Sequence, residues 1–200
     1  MKIAVVDIKA LREKTGVGVL DCRKALEETN GDMEKAHILL REKGLADAKK
    51  RANRETGNGR LELYSHGDGR VGVMVEVNCE TDFVARTDAF REFAHEIALQ
   101  IAASSPQWVH EEEVPEEVIK TEREIAHKRA LGEGKPEKVV DQIIEGRLNK
   151  FLDEKCLMRQ EYIRDDSKTV TDLVNDIIVS TGENITLRRF ERWEIGEGLA

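Results

Sequence analysis

A chain of 200 residues can build one compact domain with a small companion, or two modest domains. With 40% hydrophobic, 36% charged and only 4% aromatic residues, its surface must be heavily charged and its core mainly aliphatic. A net charge of −8 argues against a general nucleic-acid binder, which gains affinity by neutralising phosphates with Lys and Arg, and makes a protein partner the simpler expectation.

The run from Met1 to Val6 meets Asp7 too early to form the apolar region of a signal peptide, and no later run is long enough to span a bilayer. A cytoplasmic protein with no membrane partner is expected. Cys22, Cys79 and Cys156 lie far apart, form no CxxC pair, and are expected to be reduced and mostly buried. The five histidines fall in no HExxH or HxH spacing, so no metal site is expected.

In chain order, Ile8 and Leu11 recur at helical spacing between Asp7 and Thr15, and Gly16 supplies a helix end. A second helix is predicted from about Val19 to Thr29, with Val19, Cys22, Ala25 and Leu26 on one face and Asn30-Gly31 breaking it. Asp32 caps a third, which buries Met33, Ala36, Leu39 and Leu40 and ends at Gly44. Residues 1–44 thus form a module too small for strong independent stability, expected to be tethered rather than tightly docked. Residues 45–58 read as a helical linker. Its Lys49, Lys50, Arg51 and Arg54 form a solvated basic face without the interleaved aromatics of a nucleic-acid site, although such a patch can steer docking onto an acidic partner.

Leu61, Leu63 and Ser65 alternate with Glu62 and Tyr64, Gly67-Asp68-Gly69 turns the chain, and Val71, Val73, Val75 and Val77 alternate on the return. This pattern predicts a β-hairpin with one buried face. The glycines are assigned to the turn rather than to a phosphate cradle, with no GxGxxG or GxxxxGK read after a strand, which leaves nucleotide binding by this chain unsupported. The segment Glu76 to Arg86 then leaves the strand and enters a helix capped by Thr87 or Asp88. Between strand and helix lies Thr81-Asp82-Phe83-Val84-Ala85, with no glycine or proline to relax it. A phenylalanine there has two uses. It can plug the core beneath the loop, the commoner fate in a chain with few aromatics, or be an anchor held out to a partner's pocket.

The next helix carries Phe90, Phe93, Ala94, Ile97, Ala98 and Ile101 at the 3.6-residue period and is expected to cover the hairpin. His95 and Glu96 lie on it, as packed or surface residues rather than an acid–base pair. Pro115 suits the first turn of a helix to about Leu131, Gly132 to Pro136 interrupts it, and a second helix carries Val139, Val140, Ile143, Ile144, Leu148, Phe151 and Leu152. Residues from about 108 to 158 therefore read as a helical hairpin insertion. A further helix is predicted from Thr169 to Thr181 with Leu173, Ile177 and Ile178 inward and Gly182 as its stop. Ile185 to Ile195 alternates apart from Arg188-Arg189 and should form a third antiparallel strand beside the hairpin. The fold class is α+β, with residues 59–200 as the core.

The segments Leu11-Arg12-Glu13-Lys14-Thr15-Gly16-Val17-Gly18, Asp21-Cys22-Arg23-Lys24-Ala25-Leu26 and Gly31-Asp32-Met33-Glu34-Lys35-Ala36 resemble the amino-terminal domain of the elongation factor Ts family. Thr81-Asp82-Phe83-Val84-Ala85 is similar to that family's motif that reaches the nucleotide site of elongation factor Tu. The resemblance covers most of the chain and is weakest between about Gln107 and Met158. It implies a UBA-like three-helix domain, a dimerisation-type core, and a nucleotide-exchange factor with no cofactor and no chemistry of its own. The implied partner is GDP-bound elongation factor Tu. Leu11, Arg12, Thr15, Gly16, Asp21, Cys22 and Lys24 would contribute to docking of the amino-terminal helices. Thr81, Asp82, Phe83 and Val84 would act at the partner's magnesium and phosphate site, so the resemblance favours the anchor for Phe83.

Long members of the family hold a second core subdomain and a coiled coil in the middle region, where this chain has room only for a reduced version. That reduction, with Phe190 and Trp193 on a sheet edge or face, suggests self-association. An enzyme would show a nucleophile–base set, a metal cluster or a cofactor loop, which the sequence does not offer. The alternative to an exchange factor is a UBA-type protein-binding adaptor, which would have no use for the Thr81 to Ala85 loop.

Overall fold

Helix α1 (Val5–Thr15) ends where Gly16 adopts φ 68°, and its amide donates back to the Arg12 carbonyl. Helix α2 (Val19–Glu28) ends at Thr29, followed by Asn30 and Gly31 at φ 55° and 85°. Asp32 caps α3 (Met33–Arg51), its Oδ1 accepting from the Lys35 amide at 3.0 Å. These features and the further elements come from a computed structural model that describes residues 3–134 and 136–198. Met1, Lys2, Lys135, Leu199 and Ala200, which include part of the predicted Gly132 to Pro136 interruption, lie outside the described residues. Ile8, Leu11, Val17, Cys22, Ala25, Leu26, Ala36 and Leu40 form one buried cluster, as the helical spacing predicts. Met33 and Leu39, predicted to be buried with them, are only partly buried against this cluster, and Val19 is exposed at the first position of α2.

The third helix does not stop at Gly44. It continues to Arg51 and takes the basic residues Lys49, Lys50 and Arg51 into its last turn, where the helix dipole favours positive charge. Gly44 is a packing residue. A Cβ on it would come within 2.3 Å of Val179 Cγ2, in α8 (Val170–Thr181), and 3.3 Å of Val179 Cβ. Gly16 is similarly close, its added Cβ 3.0 Å from that of Ser180, and Arg41 Nη2 lies 2.6 Å from Asp172 Oδ1. Gly44→Ala gains about 1 kcal/mol of helix propensity but crowds a stiff β-branched side chain, at a cost of roughly 1–3 kcal/mol. The variant should therefore unfold at lower urea concentration, and adding Val179→Ala should restore most of the midpoint. A midpoint raised by Gly44→Ala alone would show that the two helices are not in close contact.

Strands β1 (Asn58–His66), β2 (Val71–Cys79) and β5 (Ile185–Glu194) form a three-stranded antiparallel sheet in the order β1-β2-β5. The valine-rich β2 is the central strand, and Val71, Val73, Val75 and Val77 are buried. On β1 the predicted phase is reversed: Glu62 is buried, while Leu61 and Leu63 are exposed. A period of two identifies two faces without saying which is covered. The buried carboxylate is held by Arg60, with Nε 2.6 Å from Oε2, and by His95 Nδ1, 3.4 Å from Oε1, on α5 (Asp88–Ser104). On β5 the consecutive exposed residues Arg188 and Arg189 shift the alternation. Ile185 and Leu187 are buried before them; after them Phe190 and Arg192 are the more covered, and Trp193 is 75% exposed. The turn Gly67-Asp68-Gly69-Arg70-Val71-Gly72 does have GxGxxG spacing, but it leads from one strand into another. Without a following helix N-terminus it is not the dinucleotide fingerprint.

Thr87 Oγ1 accepts from the Phe90 amide and so caps α5, which buries Phe90, Phe93, Ala94, Ile97, Ala98 and Ile101. The insertion forms the predicted helical hairpin, α6 (Glu116–Gly132) and α7 (Glu137–Lys155), closed on Ala126, Ala130, Val140 and Ile144 and bridged by Arg123–Glu145 and Arg147–Glu133 ion pairs. A two-stranded ribbon of β3 (Glu161–Tyr162) and β4 (Asp165–Thr169) follows, which the sequence reading did not anticipate. The architecture is α+β.

The chain divides into two compact units: Met1–Glu62, Val75–Glu96 and Asp172–Arg188 in the first, and Leu63–Met74, Ile97–Thr171 and Arg189–Ala200 in the second. The first holds α1 to α3, the Thr81 loop and most of α8. The three cysteines are buried and unpaired. Among the described residues, no helix is long and apolar enough to cross a membrane.

Candidate functional site

The connection after β2 contains a single helical turn, α4 (Asp82–Ala85). Thr81 sits at its N-cap in extended backbone (φ −126°, ψ 155°), and its Oγ1 accepts from the Val84 amide at 3.4 Å. The chain turns sharply enough that Phe83, at the second position of this helix, is 79% exposed. The choice the sequence left open is thereby made: Phe83 fills no core. Val84 and Ala85 are half-buried beneath it.

The groups around the turn hold it from below. Cys79 is buried, its thiol pushed up first by burial and then by the nearby Glu183 carboxylate, so it stays protonated and donates to the Thr81 carbonyl at 3.1 Å. Asn58 Nδ2 donates to the Glu80 carbonyl at 2.8 Å. Gly59, at φ 152°, lets β1 approach β2, since a Cβ there would lie 2.2 Å from the Val77 carbonyl oxygen. Glu183 accepts from the Glu80 and Thr81 amides. Neither Glu183 nor Gly59 was singled out from the sequence. Nothing local marks a glutamate after a helix stop as the partner of a turn a hundred residues earlier.

Asp82 is exposed and pairs with Arg86 at 2.8 Å, an exposed contact worth little that leaves its carboxylate open to exchange partners. Asp82, Ala85 and Arg86 form one side of a cleft of about 330 Å³ completed by Asn58, Gly59, Arg60 and Arg91. Of the three guanidinium groups that line it, Arg86 pairs with Asp82 and Arg60 with the neighbouring Glu62.

Of the amino-terminal candidates, Arg12, Gly16, Asp21 and Lys24 are exposed. Thr15 is half-buried, its hydroxyl donating to the Leu11 carbonyl at 2.7 Å and accepting from the Val17 amide at 3.3 Å. Leu11 and Cys22, by contrast, are fully buried in the helical cluster. Burial leads the causes that raise the Cys22 thiol, and its Sγ lies 3.4 Å from the Val17 carbonyl. Among the described residues, no group of three or more His, Cys, Asp or Glu is placed to hold a metal ion.

An exposed aromatic on a turn whose backbone is fixed by surrounding polar groups has the form of a binding hot spot. The family model described as "Elongation factor TS" matches residues 40–197. The chain is 57% identical over 197 residues to elongation factor Ts of Moorella thermoacetica, spanning 98% of this chain and 97% of that one. Elongation factor Ts of Caldanaerobacter subterraneus subsp. tengcongensis is likewise 57% identical, with 98% of each chain covered. That of Coprothermobacter proteolyticus is 55% identical over 98% of this chain and its own full length. The chain belongs to the elongation factor Ts family, the guanine-nucleotide exchange factors of translation elongation.

Proposed function

We propose that the chain binds GDP-bound elongation factor Tu in the cytoplasm and releases the nucleotide by inserting Phe83 into the partner beside its phosphate site. The exposure of Phe83 on a turn fixed from below carries this reading. Bound GDP is held by backbone amides, a lysine and a magnesium ion bridging phosphate oxygens and protein ligands. Asp82, with Thr81 and Val84, displaces the element that carries the magnesium ligands, and the phosphates lose their counter-charge. The UBA-like helices dock through the surface of Arg12, Thr15, Gly16, Asp21 and Lys24, which Leu11 and Cys22 shape from within. No catalytic step by this chain is involved. Coupling is reciprocal, so GDP weakens binding of this protein by the factor by which this protein weakens GDP. The test is release of fluorescent GDP from elongation factor Tu. The protein should accelerate it while releasing nothing by itself, and an unchanged rate at saturating protein would refute the proposal.

Self-association is a second reading, carried by the second unit. There Leu63 (70% exposed), Met74, Trp193 and Ile195 lie exposed on strands β1 and β2 and at the end of β5. Such apolar side chains on a sheet are the raw material of a twofold contact with a second copy. Light scattering should give the mass of a dimer. A monomer at concentrations well above those of exchange assays would rule this out.

A further inference from the structure

We propose that Glu183, in the turn between α8 and β5, is a positioning residue for the exchange loop, setting the orientation in which Thr81 caps α4 and presents Phe83. The inference rests on the reading that this loop engages the partner. One carboxylate takes three donors from it: Oε2 accepts from the Glu80 and Thr81 amides at 3.1 and 3.0 Å, and Oε1 from the Thr81 hydroxyl at 2.6 Å. A threonine hydroxyl has one hydrogen. Because Glu183 takes it, the oxygen lone pairs are left for the Val84 amide, and the cap of α4 is oriented by a group 102 residues away in sequence.

The grip is mutual. Glu80 Oε1 accepts from the Asn184 amide at 2.7 Å, so each turn places a carboxylate on the other's backbone. Asn184 is buried, and its Nδ2 donates to the Ala52 and Arg54 carbonyls at 3.3 and 2.9 Å, which ties this turn to the segment after α3. Glu183 is therefore mounted on a fixed support. The dependence of α4 on it is physical: isolated helices shorter than about 12 residues are marginal in water, and this one has a single turn. With its side chain in solvent, Phe83 takes its direction from that turn alone. Charge-assisted hydrogen bonds are the strong ones, and a loop released from them loses the preorganisation that binding draws on.

The experiment uses the full chain with Glu183→Ala and Glu183→Gln, reading backbone amide exchange at Glu80, Thr81 and Val84 together with kcat and KM for GDP release from elongation factor Tu. Glu183→Ala should speed exchange at those amides, and lower kcat/KM, each by roughly tenfold or more, while the amides of α5 keep their protection. Glu183→Gln, which keeps one acceptor oxygen, should fall between, and it provides the same readouts if the alanine variant does not fold. Adding Glu183→Ala to Phe83→Ala should cost little beyond Phe83→Ala alone, because the residue acts through the loop. A full additional loss in the double variant, unchanged amide exchange, or opened amides with unchanged kcat/KM would each overturn the proposal. Should Phe83→Ala itself leave kcat/KM unaltered, the reading of the loop fails separately. The hold of Glu183 on the loop is then decided by the amides: faster exchange confined to residues 80–84 supports it, and unchanged exchange refutes it.

Discussion

Phe83→Ala should leave the protein as stable as before and yet disable it. The ring is 79% exposed, and substitutions at such positions change stability by about 0.5 kcal/mol or less. For a chain of this length that shifts the thermal midpoint by roughly 1–2 °C. Truncating a hot-spot aromatic costs about 2 kcal/mol or more of binding, on the order of a thirty-fold loss of affinity for elongation factor Tu. Titration calorimetry on the GDP-bound partner and a thermal melt of the free protein separate the two quantities. A melt lowered by many degrees with affinity intact would identify Phe83 as a structural residue and remove the principal support for the exchange mechanism.

Phe90→Ala should give the opposite result. Phe90 is fully buried in the first turn of α5, a few residues from Phe83 and of the same chemistry. Its truncation loses transfer free energy and leaves a cavity, for about 3–5 kcal/mol of stability. At 2–4 °C per kcal/mol, the melting temperature falls by roughly 6–20 °C. In the fraction that remains folded, nucleotide release should proceed near the unmodified rate, because the Thr81 turn precedes α5 and is held by Cys79, Asn58 and Glu183 instead. Urea unfolding measures the first effect, and exchange assays well below the midpoint measure the second. An unchanged urea midpoint would contradict the buried placement of Phe90.

The contrast between these two phenylalanines shows where local pattern suffices. Phe90 belongs to a helical stripe with Phe93, Ala94, Ile97 and Ile101, and periodicity alone predicts its burial. Phe83 stands in a connection with no period, so its direction depends on the dihedral angles of one short turn. Only the resemblance to the elongation factor Ts family points to the anchor from the sequence, and the tertiary structure places the ring in solvent.

By itself, the sequence determined what interactions within a few residues decide. Gly16 and Gly31 end or separate helices by taking positive φ, Asp32 and Thr87 cap the helices that follow them, and valines at every second position make β2 a strand. The Pro115 and Gly132 to Pro136 signals likewise delimited the α6–α7 hairpin. Tertiary structure decided whatever depends on a distant chain segment. Gly44 carries the composition of a helix stop, but its place opposite Val179 makes it a contact point inside α3. Alternation on β1 specified two faces, and burial of Glu62 between Arg60 and His95 chose which one is covered. Glu183 resembles any surface glutamate until folding brings it to the amides of Glu80 and Thr81, because a hydrogen bond across a hundred residues leaves no periodic trace in the chain.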